Sequence, residues 1–219
     1  FKFRRKEQMG LDWSASRSSY DATEEDAPWL AAVRDVDCRR GLSAEQVAKQ
    51  RRRQSQLPVE IAPHLYLSTA RAATDVEVLR RFRVTHAVNA AGRAARDSAN
   101  VLRRERLVVL DLEGRDVEGF PMLPRFLDRT RAFVRRAQKE GGKVLIFCVA
   151  GQNRSGVLCA AEYMLATPGV TVLDAVRHCR RCRGNLLLSN RSFQAQLVAL
   201  ARRHGTLGPR PASSDDERS

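Results

Sequence analysis

Long apolar runs are absent from this 219-residue chain. A membrane-spanning helix needs about 20 consecutive apolar residues, so no segment reads as a span. A disulfide framework is missing too. The five cysteines, at 38, 148, 159, 179 and 182, make an odd count without paired spacing. They read as free thiols in a reducing intracellular compartment, cytoplasmic or mitochondrial. His178-Cys179-Arg-Arg-Cys182 offers zinc-type ligands, but no second ligand pair accompanies it and the spacing is that of an amphipathic helix. No metal and no other cofactor is expected. An initial Met is lacking, which suits a processed product or a fragment, and no signal peptide is recognisable.

Positive charge is in excess: 39 Lys/Arg stand against 25 Asp/Glu, for a net +14. The excess is not in a tail, because residues 59–204 hold 25 of the basic residues and 13 of the acidic ones. Such a field favours RNA or an acidic protein surface as partner, although a solvated Arg-rich surface accounts for it equally well. Residues 1–58 show no sustained hydrophobic period. Phe1, Phe3, Trp13, Tyr20 and Trp29 are scattered among charges and serines, which predicts an extended basic arm with anchoring aromatics. One short helix is expected there, because Ser43-Ala-Glu-Gln46 is a capping-box start. Residues 205–219 form a polar tail that lacks the apolar content to fold alone, so partner chains are expected to hold the tails.

From Val59 to about His204 the pattern becomes regular. His64–Ser68, Val84–Asn89, Leu107–Leu110 and Lys143–Phe147 read as strands. Thr74 is expected to cap a helix over Asp75–Phe82, residues 91–100 to form a loop, and Asp111–Phe120 an acidic loop. Leu123–Lys139, Ser155–Ala166, Thr171–Arg181 and Asn190–Arg203 have helical spacing. Strands alternating with helices predict an α/β domain, a mostly parallel twisted sheet flanked by helices. Ligands bind such sheets beyond the carboxyl ends of the strands.

One such end carries Cys148-Val149-Ala150-Gly151-Gln152-Asn153-Arg154-Ser155. A buried strand running into a Gly-containing turn and then a helix points several backbone N–H groups at one place, at the positive end of the helix. A thiolate is stabilised there. Gly151 permits the turn. Arg154 can fold back and grip two phosphate oxygens with its planar fork, and Ser155 can donate to the sulfur.

This string resembles the signature of the cysteine-dependent protein phosphatases, Cys, five residues, Arg, then Ser or Thr. The likeness extends to the dual-specificity branch through His64-Leu-Tyr-Leu-Ser, Val84-Thr-His-Ala-Val-Asn, Gly141-Gly-Lys-Val-Leu-Ile-Phe-Cys and Leu188-Ser-Asn-Arg-Ser-Phe-Gln-Ala-Gln-Leu. It covers residues 59–204. The resemblance implies that Cys148 attacks phosphorus to form a thiophosphate, with Arg154 and the loop amides stabilising the transition state. An Asp from the preceding loop would act as general acid and base without a metal.

Three departures stand out. Phe147 occupies the position before the nucleophile where the family has His, so reduced turnover is expected. The acid is Asp116 when counted back from Cys148 and Asp111 when counted forward from the third strand, and both assignments stay open. Asn153 and Gly156 resemble RNA 5′-phosphatase relatives, which keeps an RNA substrate in view. An alternative to a phosphoprotein phosphatase follows: a weakly active or inactive subunit bound to RNA in a ribonucleoprotein such as a mitochondrial ribosome.

Overall fold

The computed structural model describes residues 20–212. Phe1, Phe3, Trp13 and the tail beyond 212 lie outside the described residues, and the expectation that partner chains hold them is left there.

Five strands form one sheet: β1 (Val59–Ala62), β2 (Leu65–Thr69), β3 (Val84–Asn89), β4 (Val108–Asp111) and β5 (Lys143–Cys148), in the order β1-β2-β5-β3-β4. β1 pairs antiparallel with β2, and every other pairing is parallel. β5 lies at the centre, and Val144 to Cys148 are all buried. Their unbroken apolar sequence is what a strand covered on both faces requires. Its neighbours hold it in register, with Ser68 and Asn89 flanking Phe147.

The helices are α1 (Ala27–Asp35), α2 (Ala44–Ser55), α3 (Val76–Phe82), α4 (Arg96–Arg104), α5 (Met122–Lys139), α6 (Arg154–Ala166), α7 (Val172–Arg183) and α8 (Arg191–Arg203). α5 to α8 pack on one another, and α5 and α6 also cover β5, whereas α4 lies on β3 and β4. α6 is buried nearly all round, from Arg154 through Glu162 and again at Met164. A helix apolar on every side belongs inside a fold. The phosphate-loop helix is therefore the hub of the helical layer.

Three expectations need correction. The described part of the N-terminal region is not extended but forms α1 and α2, packed on α7 and α8. α2 begins as expected, with Ser43 accepting from the Gln46 amide at 3.3 Å. α1 was not expected, because only Val33 of its nine residues is buried and its period is weak. Its C-terminal carbonyls are satisfied from afar. The buried Arg180 guanidinium donates to the carbonyls of Val33 (2.9 Å), Arg34 (3.3 Å) and Val36 (2.6 Å). Residues 91–100 are not a loop either: a 3₁₀ turn at Gly92–Ala95 leads into α4, which buries Ala99 and Leu102. Last, α3 is capped by Asp75, which accepts from the Val78 amide at 3.2 Å, and not by Thr74.

Candidate active site

Residues 149–153 connect the end of β5 to the start of α6. Gly151 has φ +60, and a Cβ there would lie 2.6 Å from the Ser68 carbonyl oxygen. Glycine is needed at this turn for both its torsion and its closeness to β2. The loop carbonyls are engaged from outside. Val149 accepts from the Ala70 amide at 3.3 Å, Ala150 from Arg183 Nη2 at 3.1 Å and Gln152 from the Leu188 amide at 3.2 Å. Among the described residues, the amides of 149–153 donate to no protein acceptor. Donors freed in this way, ahead of a buried helix, form a cradle for an anion.

Cys148 is buried at the rim of that cradle, and its Sγ lies 3.2 Å from Ser155 Oγ. Arg154 is only 8% exposed, so its guanidinium is turned into the protein and not to bulk water. Nη1 donates to the Gly114 carbonyl at 3.4 Å, while Nε has no hydrogen-bond partner. A buried charged donor left open is costly, and a bound oxyanion would satisfy it.

The loop between β4 and α5 brings in a carboxylate. Gly114 fits so closely under Ala90 that a Cβ would meet its carbonyl oxygen at 2.3 Å. Asp116 follows, with Oδ2 4.0 Å from Arg154 Nε and 3.3 Å from Asn153 Nδ2. Its Oδ1 accepts from Asn190 Nδ2 at 3.3 Å. Asp111, by contrast, ends β4, two strands from Cys148. It pairs with Arg103 and accepts from Asn89 Nδ2 at 2.9 Å. The structure thus brings Asp116, Cys148, Arg154, Ser155 and the loop together and leaves Asp111 out.

Several contacts that hold this arrangement were not legible from the sequence. Asn153 Oδ1 accepts from the Ser189 amide (2.8 Å), the Ser189 hydroxyl (3.1 Å) and the Asn190 amide (3.1 Å), tying the phosphate loop to the start of α8. Glu118 accepts from the Arg191 and Ser192 amides, filling the open N-terminus of α8 from the acid loop. Gln196 donates to the Phe120 carbonyl and accepts from the Leu123 amide, both across more than seventy residues. The available signal was the helix start Ser189-Asn190, a capping pattern; its partners were not readable. Phe147 is fully buried and fills the core behind Cys148. Cys179 is likewise buried, and His178 stacks on Tyr163 at 4.3 Å while its Nε2 bonds the Ile61 carbonyl at 2.8 Å.

Known proteins share this arrangement. Residues 65–203 match the family described as dual specificity phosphatase, catalytic domain. Dual specificity protein phosphatase 26 of Homo sapiens is 31% identical over 144 residues, 66% of this chain and 67% of that protein. The crystal structure of human DUSP28 superposes with a TM-score of 0.60 at 25% identity, covering 68% of this chain and 96% of that one. Human tyrosine phosphatase-like serine/threonine/tyrosine-interacting protein gives 0.54 at 26% identity, over 64% and 92%. Nothing in these similarities points to RNA, a ribosome or a mitochondrion, and the ribonucleoprotein alternative is not favoured. With the loop, the sheet order and the matched residues in agreement, the chain belongs to the dual-specificity phosphatase family.

Proposed function

We propose that this domain hydrolyses phosphomonoesters on phosphoproteins through a thiophosphate on Cys148. The observation that carries the reading is the run of unengaged loop amides next to a buried sulfur, followed by a buried Arg154 guanidinium with an open Nε. In the first step the Cys148 thiolate attacks phosphorus, the ester P–O bond breaks, and Asp116 gives its proton to the departing oxygen. The amides and Arg154 hold the three equatorial oxygens as charge builds on them. In the second step water attacks phosphorus, Asp116 takes its proton, and the S–P bond breaks. Ser155 donates to the sulfur as it leaves, from 3.2 Å. All five cysteines are free, and the reaction requires a compartment that keeps Cys148 reduced.

The features that resemble RNA 5′-phosphatases have packing explanations. Asn153 is committed to Asp116 and α8, and a Cβ on Gly156 would press on Leu187 at 3.2 Å. A phosphoprotein is therefore the favoured substrate class. Release of p-nitrophenol from its phosphate ester tests the reading. Turnover is expected between about pH 5 and 8 and should vanish in Cys148→Ser. Purified, folded protein that releases nothing across that range would overturn it.

A further inference from the structure

A groove of about 760 Å³ runs between α2 and α7, away from the catalytic loop. Lys49 and Arg53 project from one wall, one helical turn apart, and Arg177 and Arg181 from the other at the same spacing. Val36, Leu42 and Leu173 add apolar surface between them.

Two carboxylates, Asp35 and Asp37, also line this groove. Asp35 pairs with Arg34 at 3.5 Å, and Asp37 accepts from the Arg39 amide at 2.9 Å and from Asn185. Arg177 is held by Asp174 at 3.0 Å. The side chains of Lys49, Arg53 and Arg181 form no hydrogen bond or ion pair among the described residues. Five basic side chains, Arg40, Lys49, Arg53, Arg177 and Arg181, therefore outnumber the two carboxylates in a cleft with apolar patches. The α2–α7 pair that forms it is fixed, because the buried Gln54 donates to the Arg180 and Arg181 carbonyls at 3.1 Å each.

A second cleft lies on the same helix pair. Smaller, at about 240 Å³, and lined by Arg39, Arg51 and Arg183, it reaches Gln152 of the phosphate loop. From Leu173 to Arg183 the α7 axis rises about 15 Å, which an extended peptide crosses in about five residues.

We propose that the α2–α7 groove docks an acidic segment of the phosphoprotein substrate, about five residues from the phosphorylated side chain, with an aliphatic residue seated against Leu42 and Leu173. The proposal rests on the phosphoprotein reading above, and charge complementarity selects the occupant. The peptide lies beside N-terminal helices that the matched catalytic region, residues 65–203, does not include. Docking here lowers KM and leaves kcat alone, because the groove never touches the reacting atoms.

The test reads binding apart from catalysis. A fluorescein-labelled, unphosphorylated peptide of six Asp/Glu residues around one Leu is titrated against the full chain by anisotropy. It is expected to bind at least about tenfold more tightly than its Asn/Gln counterpart. The triple variant Lys49→Glu, Arg53→Glu, Arg181→Glu should lose that difference while hydrolysing aryl phosphate like wild type, which also shows that it is folded. A phosphotyrosine peptide carrying the same acidic stretch should show a KM about tenfold lower than one without it, at equal kcat. Equal affinity for acidic and neutral peptides would overturn the proposal, as would unchanged binding by the triple variant. So would binding of an oligonucleotide of matching charge at least as tightly as the acidic peptide. Absent aryl phosphate turnover with intact peptide binding would count against the phosphatase reading alone.

Discussion

Asp111 and Asp116 stand five residues apart, yet their carboxylates meet different arginines. Asp111 is drawn to Arg103 on α4, and Asp116 to Arg154 in the pocket. Asp116→Asn is expected to lower kcat by about 10²–10⁴-fold, as loss of a general acid does. Asp111→Asn should leave kcat nearly unchanged and cost about 1 kcal/mol or less, because its ion pair is largely exposed. Steady-state kinetics with aryl phosphate and urea unfolding of both variants check this; the reverse result would assign the acid to Asp111. At Gly151, Ala would meet both an unfavourable torsion of about 1–2 kcal/mol and the Ser68 carbonyl. The amides would shift, and a fall of about 100-fold in kcat is expected from a misplacement of that kind, with the fold retained by circular dichroism. Cys148, Gly151 and Arg154 were legible in the sequence as one loop because their spacing is local. The choice between the aspartates was not, since it depends on which cation the chain brings near each one.

Among the elements, α7 shows how a helix start is fixed by its own first turn. Thr171 accepts from the Asp174 amide at 3.2 Å, and Asp174 bonds back to the Thr171 hydroxyl at 2.6 Å. The Thr171 hydrogen bond, aided by Arg177, holds the Asp174 carboxyl below its ordinary value of 3.8 against a smaller opposing effect of burial. A carboxyl depressed in the folded state stabilises the fold above its unfolded pKa, and that contribution fades as pH falls through the folded value. The difference in urea midpoint between wild type and Asp174→Asn is therefore expected at pH 6 and should close below 3.8. A gap that persists or widens in acid would contradict this. Thr171→Ala should cost about 0.5–2 kcal/mol, as lost N-caps do. The helices with clear caps or apolar periods, α2, α3 and α5 to α8, were legible in the sequence. α1 and α4 were not, because each buries only one or two of its residues and draws its stability from contacts made elsewhere.

At the scale of the whole molecule, Arg180 couples the N-terminal helices to the catalytic region. Its guanidinium donates to three carbonyls around the end of α1 and, through Nε, to Leu187 at 3.1 Å, close to the segment that buttresses Gln152. Arg180→Met would leave those buried carbonyls without a donor. A loss of about 3 kcal/mol is expected, or a Tm fall of about 6–12 °C for a protein of this size, measurable by calorimetry. No change in Tm would show that α1 is only loosely docked. Sequence alone determined the sheet class and the Gly-containing loop from Cys148 to Ser155, because hydrophobic period and a tight turn are properties of neighbouring residues. Tertiary structure alone decided that the N-terminal region folds onto α7 and α8 and that Asp116 is the carboxylate over the pocket. It also decided that Lys49 and Arg53 meet Arg177 and Arg181 across one groove. Each of these depends on groups more than thirty residues apart, and the pairing of such groups is set by packing and by the need to satisfy buried donors and acceptors.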